Sequence, residues 1–147
     1  MEKGDARRVF DALAAAREGL DLARRELEAE ERSSGGARGL PGEPRRPGHG
    51  DPTFASAARL SEARARVEEI EAQVRLLEEA ARLMLASVPV ARWEFVARCR
   101  LLYGWDMQAV ANSAHVSRRT AYTYLRNALE WMDASGAADR ALGASGG

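Results

Sequence analysis

From Leu60 to Met84 two apolar series run through a charged background. Leu60, Val67, Val74 and Ala81 are spaced by seven, and Ala63, Ile70, Leu77 and Met84 repeat that spacing three positions on. A seam of this period is buried when an α-helix packs along another helix, so residues 53–87 are predicted to form a coiled-coil helix. Asp51 is placed to cap it and Pro52 to occupy its first turn, where the missing N–H costs nothing. Near the N-terminus Phe10, Leu13, Leu20 and Leu27 form a weaker stripe interrupted by Arg17 and Arg24, which predicts an amphipathic helix within residues 1–32. Between the two lies SSGGARGLPGEPRRPGHGDP, residues 33–52, with four of the five prolines and six glycines, the composition of a flexible linker. Such a connector lets the helices fold back as an antiparallel hairpin, and two hairpins could pair as a four-helix bundle. Leu76, Leu83 and Leu85 lie off the main seam and a lone hairpin is thin, so self-association, most simply as a dimer, is expected.

The period changes after Val88. Pro89 disfavours α geometry at Val88, so a new helix or a sharp kink is expected there. Along WEFVARCRLLYG the residues Phe95, Val96, Cys99, Leu102 and Tyr103 fall on one helical face, which makes Cys99 a core residue rather than a reactive thiol. Gly104 ends that helix. Asp106 is placed to cap a short helix, MQAVANSA, whose inward side is Val110, Ala111 and Ala114; a tight turn at His115 and Val116 follows, and Ser117 caps a third helix. There Ala121, Leu125, Ala128, Leu129 and Met132 form the inward stripe, while Arg119, Tyr122, Thr123 and Arg126 line the opposite face with Arg118 at its N-terminal end. Residues 88–134 therefore read as a helix-turn-helix domain. Residues 135–147 are expected to be a disordered tail. The fold class is all-α: a long helical, coiled-coil hairpin followed by a C-terminal three-helix helix-turn-helix domain.

Charge adds direction to this outline. The formal net charge is +0, but residues 1–32 carry nine acids against seven cations, whereas residues 88–134 carry six arginines against four acids. Residues 115–129, HVSRRTAYTYLRNAL, hold three arginines, two tyrosines and no acid. DNA phosphates attract fixed cations, and arginine pairs bidentately with guanine in the major groove, so an acid-free helix face suits double-stranded DNA. Arg118 and Arg119 are placed for phosphate and first-base contact, and Tyr122, Thr123 and Arg126 for base edges or sugars. A solvated basic face is the plainer alternative.

Other chemistry finds little support. A single cysteine excludes an internal disulfide and a cysteine-cluster zinc site, and His49 and His115 lack a second ligand at metal-site spacing. No paired carboxylates stand near a histidine, no nucleophile near a base, and no glycine loop is spaced to cradle phosphate, so neither an enzyme nor a cofactor-binding protein is expected. With no apolar run of about 18 residues and no secretory leader, a cytoplasmic protein that does not enter membranes is expected.

The helix-turn-helix pattern is more specific than its outline. Ala111 precedes Val116 by five residues and Ala121 by ten, where the two helices approach closely and a bulky side chain would part them. The stretch Val88–Met132 resembles region four of bacterial sigma factors. Val88-Pro89 stands where that family has Leu-Pro, Gly104-Trp105-Asp106 where it has Gly-Leu-Ser, and Val110-Ala111 where it has Ile-Ala. Val116-Ser117 stands for Ile-Ser, Thr120 for Thr, and Ala128-Leu129 for Ala-Leu. His115 departs from the family's glycine in the turn, although histidine visits the left-handed region more readily than most residues; Ala121 replaces a usual valine or isoleucine and thins the core. The full layout is similar to short phage and prophage proteins of Gram-positive bacteria related to late transcription regulators of the RinA and ArpU type. The resemblance implies a phage-type, DNA-binding transcription regulator. Two alternatives stay open: a DNA-packaging subunit resembling a small terminase, and a sigma-like adaptor that binds RNA polymerase.

Overall fold

The computed structural model describes residues 4–36 and 50–146. The all-α reading holds: two long helices form a hairpin and several short helices pack together after it, with no strand among the described residues. The hairpin helices are α1, Asp5–Gly36, and α2, Gly50–Ala86. There follow α3, Ala91–Ala97, a π turn, Arg98–Leu102, then α4, Met107–Ala114, α5, Arg118–Ser135, and α6, Ala137–Gly146. Among the described residues no helix is long and apolar enough to cross a membrane.

Both ends of the expected linker, residues 33–52, are helical, since α1 continues to Gly36 and α2 begins at Gly50; residues 37–49 lie outside the described residues. Once an amphipathic stretch is anchored by packing, each added residue gains a hydrogen bond without a new nucleation cost, so helix propagates into poor helix formers. Asp51 consequently falls inside α2 instead of before it, with Pro52 in the first turn.

The chain divides into two compact units, one made of residues 16–73 and the other of residues 1–15 with 74–147. In the first, Leu20, Ala23, Ala63 and Val67 are buried, and Leu27, Leu60 and Ile70 are half-buried. Ion pairs crossing between the helices fix their sense: Arg24 meets Glu71 at 3.7 Å, Glu26 meets Arg66 at 2.6 Å, and Glu30 meets Arg59 at 3.6 Å. Rising numbers on α1 pair with falling numbers on α2, so the helices are antiparallel. Arg24 thus does not interrupt the apolar stripe; it is exposed and reaches across to the partner helix.

The second unit gathers Ala6, Phe10 and Leu13 from α1 and Ala81, Met84 and Leu85 from α2, all buried, with the short helices. Leu85, off the coiled-coil seam, is only 2% exposed. From the later elements come Val96, Cys99, Leu102, Val110, Ala121, Ala128 and Met132, also buried. Tyr103 was expected on the inward face but is exposed, and the π turn explains why. The Tyr103 amide bonds to the Arg98 carbonyl five residues back at 3.1 Å, which inserts one extra residue into the turn. Everything beyond it is rotated by about one helical step, about 100°, from where a 3.6-residue period puts it. Leu129 is likewise only half-buried.

The expected disordered tail, residues 135–147, is instead largely α6. Gly136 (φ 70°) ends α5 in the left-handed conformation, and Ala137, Ala138 and Ala141 are buried beyond it. Their small side chains allow close packing on α5, which outweighs the weak helix propensity of the Gly/Ser-rich sequence. At the other end of the unit, the first turn of α1 is capped from α5, because the Ala6 amide donates to Asp133 Oδ1 at 2.9 Å. The Trp131 indole donates to the Ser87 carbonyl at 3.0 Å, tying α5 to the segment after α2.

Candidate nucleic-acid interface

The expected turn forms with the expected caps. Asp106 precedes α4 in an extended conformation and its carboxylate accepts from the Ala109 amide at 2.9 Å. Ser117 does the same for α5, its hydroxyl oxygen accepting from the Thr120 amide at 3.1 Å. Between them His115 takes φ 57° and ψ 42°, the left-handed conformation that lets the Val116 amide reach the Ala111 carbonyl at 3.1 Å and close the end of α4. Ala111 and Ala121 are both fully buried, consistent with a close approach of the two helices at these small residues.

This turn sets the direction of the outer face of α5. Arg118, Arg119, Tyr122 and Arg126 are exposed there, with Tyr122 50% accessible. Thr123 is half-buried, and its hydroxyl donates to the Arg119 carbonyl at 3.1 Å, so its oxygen can still accept while its hydrogen is engaged. All five expected contact residues therefore share one strip of α5. Among the described residues no carboxylate lies within ion-pair distance of Arg118, Arg119 or Arg126. Three guanidinium groups that are solvated and unpaired can be transferred to an anion without first breaking a salt bridge.

The strip borders an open groove of about 920 Å³. Its walls include the five expected residues, with Leu125 and Leu129 as apolar lining. Two further arginines, Arg7 from α1 and Arg100 from the π turn, line it as well, and Glu130 and Asp133 accompany them. Periodicity gave no sign of either arginine. Arg7 lies over a hundred residues away in sequence, and the rotation introduced by the π turn is invisible to a 3.6-residue count.

Cys99 is buried, and burial pushes its thiol pKa up; the Arg98 charge lowers it by less, and the Glu94 charge adds to the rise. That environment suits a packing residue and opposes thiolate chemistry. Arg98, the first residue of the π turn, pairs with Glu94 of α3 at 3.4 Å. On the far side of α5, Arg92 lies over the Tyr124 ring at 5.8 Å, so that arginine is engaged within the fold.

Comparison with protein-family models, with curated proteins and with solved structures finds no match for this chain.

Proposed function

We propose that this protein is a sequence-specific, double-stranded-DNA-binding transcription regulator of the phage or prophage type, with α5 as its recognition helix. The observation that carries the reading is the strip of Arg118, Arg119, Tyr122, Thr123 and Arg126 on α5, whose arginines are exposed and have no ion-pair carboxylate among the described residues. A helix of this width fits the major groove, where arginines read guanine edges or hold phosphates. Further support comes from the left-handed turn at His115 and the caps at Asp106 and Ser117, the local geometry a helix-turn-helix requires. The resemblance of Val88–Met132 to sigma region four supplies the regulatory part of the proposal.

Dimerisation is part of the same reading. The coiled-coil seam is used inside the hairpin, so a second copy would meet the outward side of α2, where Leu76 and Leu83 are 53% and 40% exposed and seven residues apart. Two symmetric helix-turn-helix units would then read two half-sites. Exchanging both leucines for glutamate is expected to convert a sedimenting dimer into a folded monomer; a monomeric parent at tens of micromolar removes the dimer.

The central test is selection of bound sites from random duplex DNA, followed by anisotropy titration of the parent and an Arg118→Ala/Arg119→Ala/Arg126→Ala variant across a salt series. Weaker binding with a salt slope lower by about one unit per lost phosphate contact is expected, with unchanged circular dichroism. Equal affinity and slope for two folded proteins removes α5 as the recognition helix. If the parent binds no duplex at low salt, the reading passes to a protein-binding adaptor.

A further inference from the structure

We propose that Arg100, which lies outside the helix pair α4 and α5, is a phosphate-positioning residue that holds the DNA backbone beside the strip read by α5. The inference rests on the DNA-binding reading given above and extends it to a different element of the fold.

Arg100 lies in the middle of the π turn Arg98–Leu102. It is exposed and lines the same groove as Arg118, Arg119 and Arg126. Its guanidinium is oriented without being neutralised: Nη1 donates to the Trp105 carbonyl at 2.9 Å, and among the described residues no carboxylate pairs with it. A guanidinium has five N–H donors, so one bond to a carbonyl leaves several for an anion while restricting the side chain's freedom. Less rotamer entropy is then lost on binding than for a free arginine. Gly104 (φ 76°) allows the chain to reverse behind the π turn, with the Trp105 amide bonded to the Cys99 carbonyl at 3.0 Å, and so places the carbonyl that holds Arg100.

The other groove arginine that does not belong to α5, Arg7, provides a comparison within the same molecule. Arg7 pairs with Asp11 at 3.5 Å. Its charge is locally compensated, whereas that of Arg100 is not. Proximity to the groove alone would make the two equivalent to DNA; the pairing pattern makes Arg100 the phosphate contact and Arg7 a bystander.

A phosphate contact carries no sequence information, so loss of Arg100 must weaken selected and scrambled sites alike, unlike the loss of a base-reading residue. Full-length parent, Arg100→Gln, Arg100→Ala and Arg7→Ala are titrated onto the selected duplex and a scrambled duplex across a salt series. Arg100→Gln removes the charge but keeps a polar side chain, two atoms shorter than arginine, and circular dichroism of both variants checks that the loop they share with Trp105 stays folded. Expected for Arg100→Gln is a salt slope lower by about one unit and an affinity loss on the order of tenfold on both duplexes, with Arg7→Ala at the parent's slope. Folded Arg100→Gln binding with the parent's slope overturns the proposal and leaves α5 as the reader. Equal losses for Arg7→Ala and Arg100→Gln overturn it too, because the effect would then be bulk charge. A parent that binds neither duplex at low salt overturns the DNA-binding reading itself, and this proposal with it.

Discussion

Gly4 and Asp133 form a pair whose energetics can be separated by mutation. A Cβ added at Gly4 would overlap the Asp133 carboxylate, so Gly4→Ala forces the carboxylate away from the first turn of α1. That carboxylate accepts from the Ala6 amide, the role that a capping side chain at residue 4 would otherwise perform. Losing such a cap costs about 0.5–2 kcal/mol, and losing a negative charge at a helix N-terminus a further 0.3–1 kcal/mol or so. Asp133→Ala is therefore expected to destabilise by about 1–3 kcal/mol, whereas Asp133→Asn, which keeps an acceptor, loses only the charge contribution of about 0.3–1 kcal/mol. Gly4→Ala costs at least the cap, because the displaced carboxylate can no longer make it. Since both substitutions break the same bond, the double variant must cost less than the sum of the singles, by about 1 kcal/mol or more. Urea denaturation followed by tryptophan fluorescence measures this directly, because Trp93, Trp105 and Trp131 all belong to the unit that contains the contact. Strictly additive losses, or a Gly4→Ala protein as stable as the parent, would refute the argument.

Two other consequences can be checked more briefly. His115→Gly removes a left-handed strain of roughly 1–2 kcal/mol and adds about 0.5–1 kcal/mol of unfolded-state freedom, so a gain in stability of up to about 1.5 kcal/mol is expected in the same urea titration; a loss would mean that the imidazole makes a stabilising contact. Cys99 is expected to react with a maleimide or disulfide reagent far more slowly in the folded protein than in denaturant. Because its folded pKa is raised, the unfolded chain gives up its thiol proton first, so stability contributed by the neutral buried thiol is full below the ordinary thiol pKa and falls as pH rises above it; a Cys99→Ala variant with the same alkaline stability profile would show that the thiol contributes nothing to it.

What could be read in the sequence was what local chemistry specifies. Asp106 and Ser117 are side chains that satisfy amides three residues away, and they cap as expected. A tight turn at His115 followed from its place between two helices, while its left-handed backbone was implied only by the resemblance to sigma region four, which has glycine there. The seam around Val67 and Val74 was legible because burial imposes a period on the residues themselves. The features that were not legible depend on distance or on a single inserted residue. Asp133 caps a helix 127 positions away. The π turn displaces Tyr103 and Arg100 without any marker residue, since RCRLL is equally compatible with continued α-helix. The fate of Ala137, Ala138 and Ala141 depended on the surface α5 offers them, and their own composition favoured a frayed end. The strip on α5 was legible, but the two arginines that line the same groove, Arg7 and Arg100, were not, because they reach it from other elements.

The discontinuous unit has a consequence for the order in which the chain acquires structure. The antiparallel contacts of residues 16–73 join partners 29 to 47 positions apart, as in Glu30 with Arg59 and Arg24 with Glu71, and all of them are available once residue 73 has left the ribosome. Phe10 and Leu13, although made earlier, belong to a core most of whose other residues lie beyond residue 73, and the cap on their helix arrives only with Asp133. Short-range pairing closes early and long-range pairing late, so the nascent chain carries an exposed apolar N-terminal turn through most of its synthesis. That interval is when a chaperone, or another copy of the same nascent segment, has access to Phe10 and Leu13, and rare codons placed after residue 73 would lengthen it.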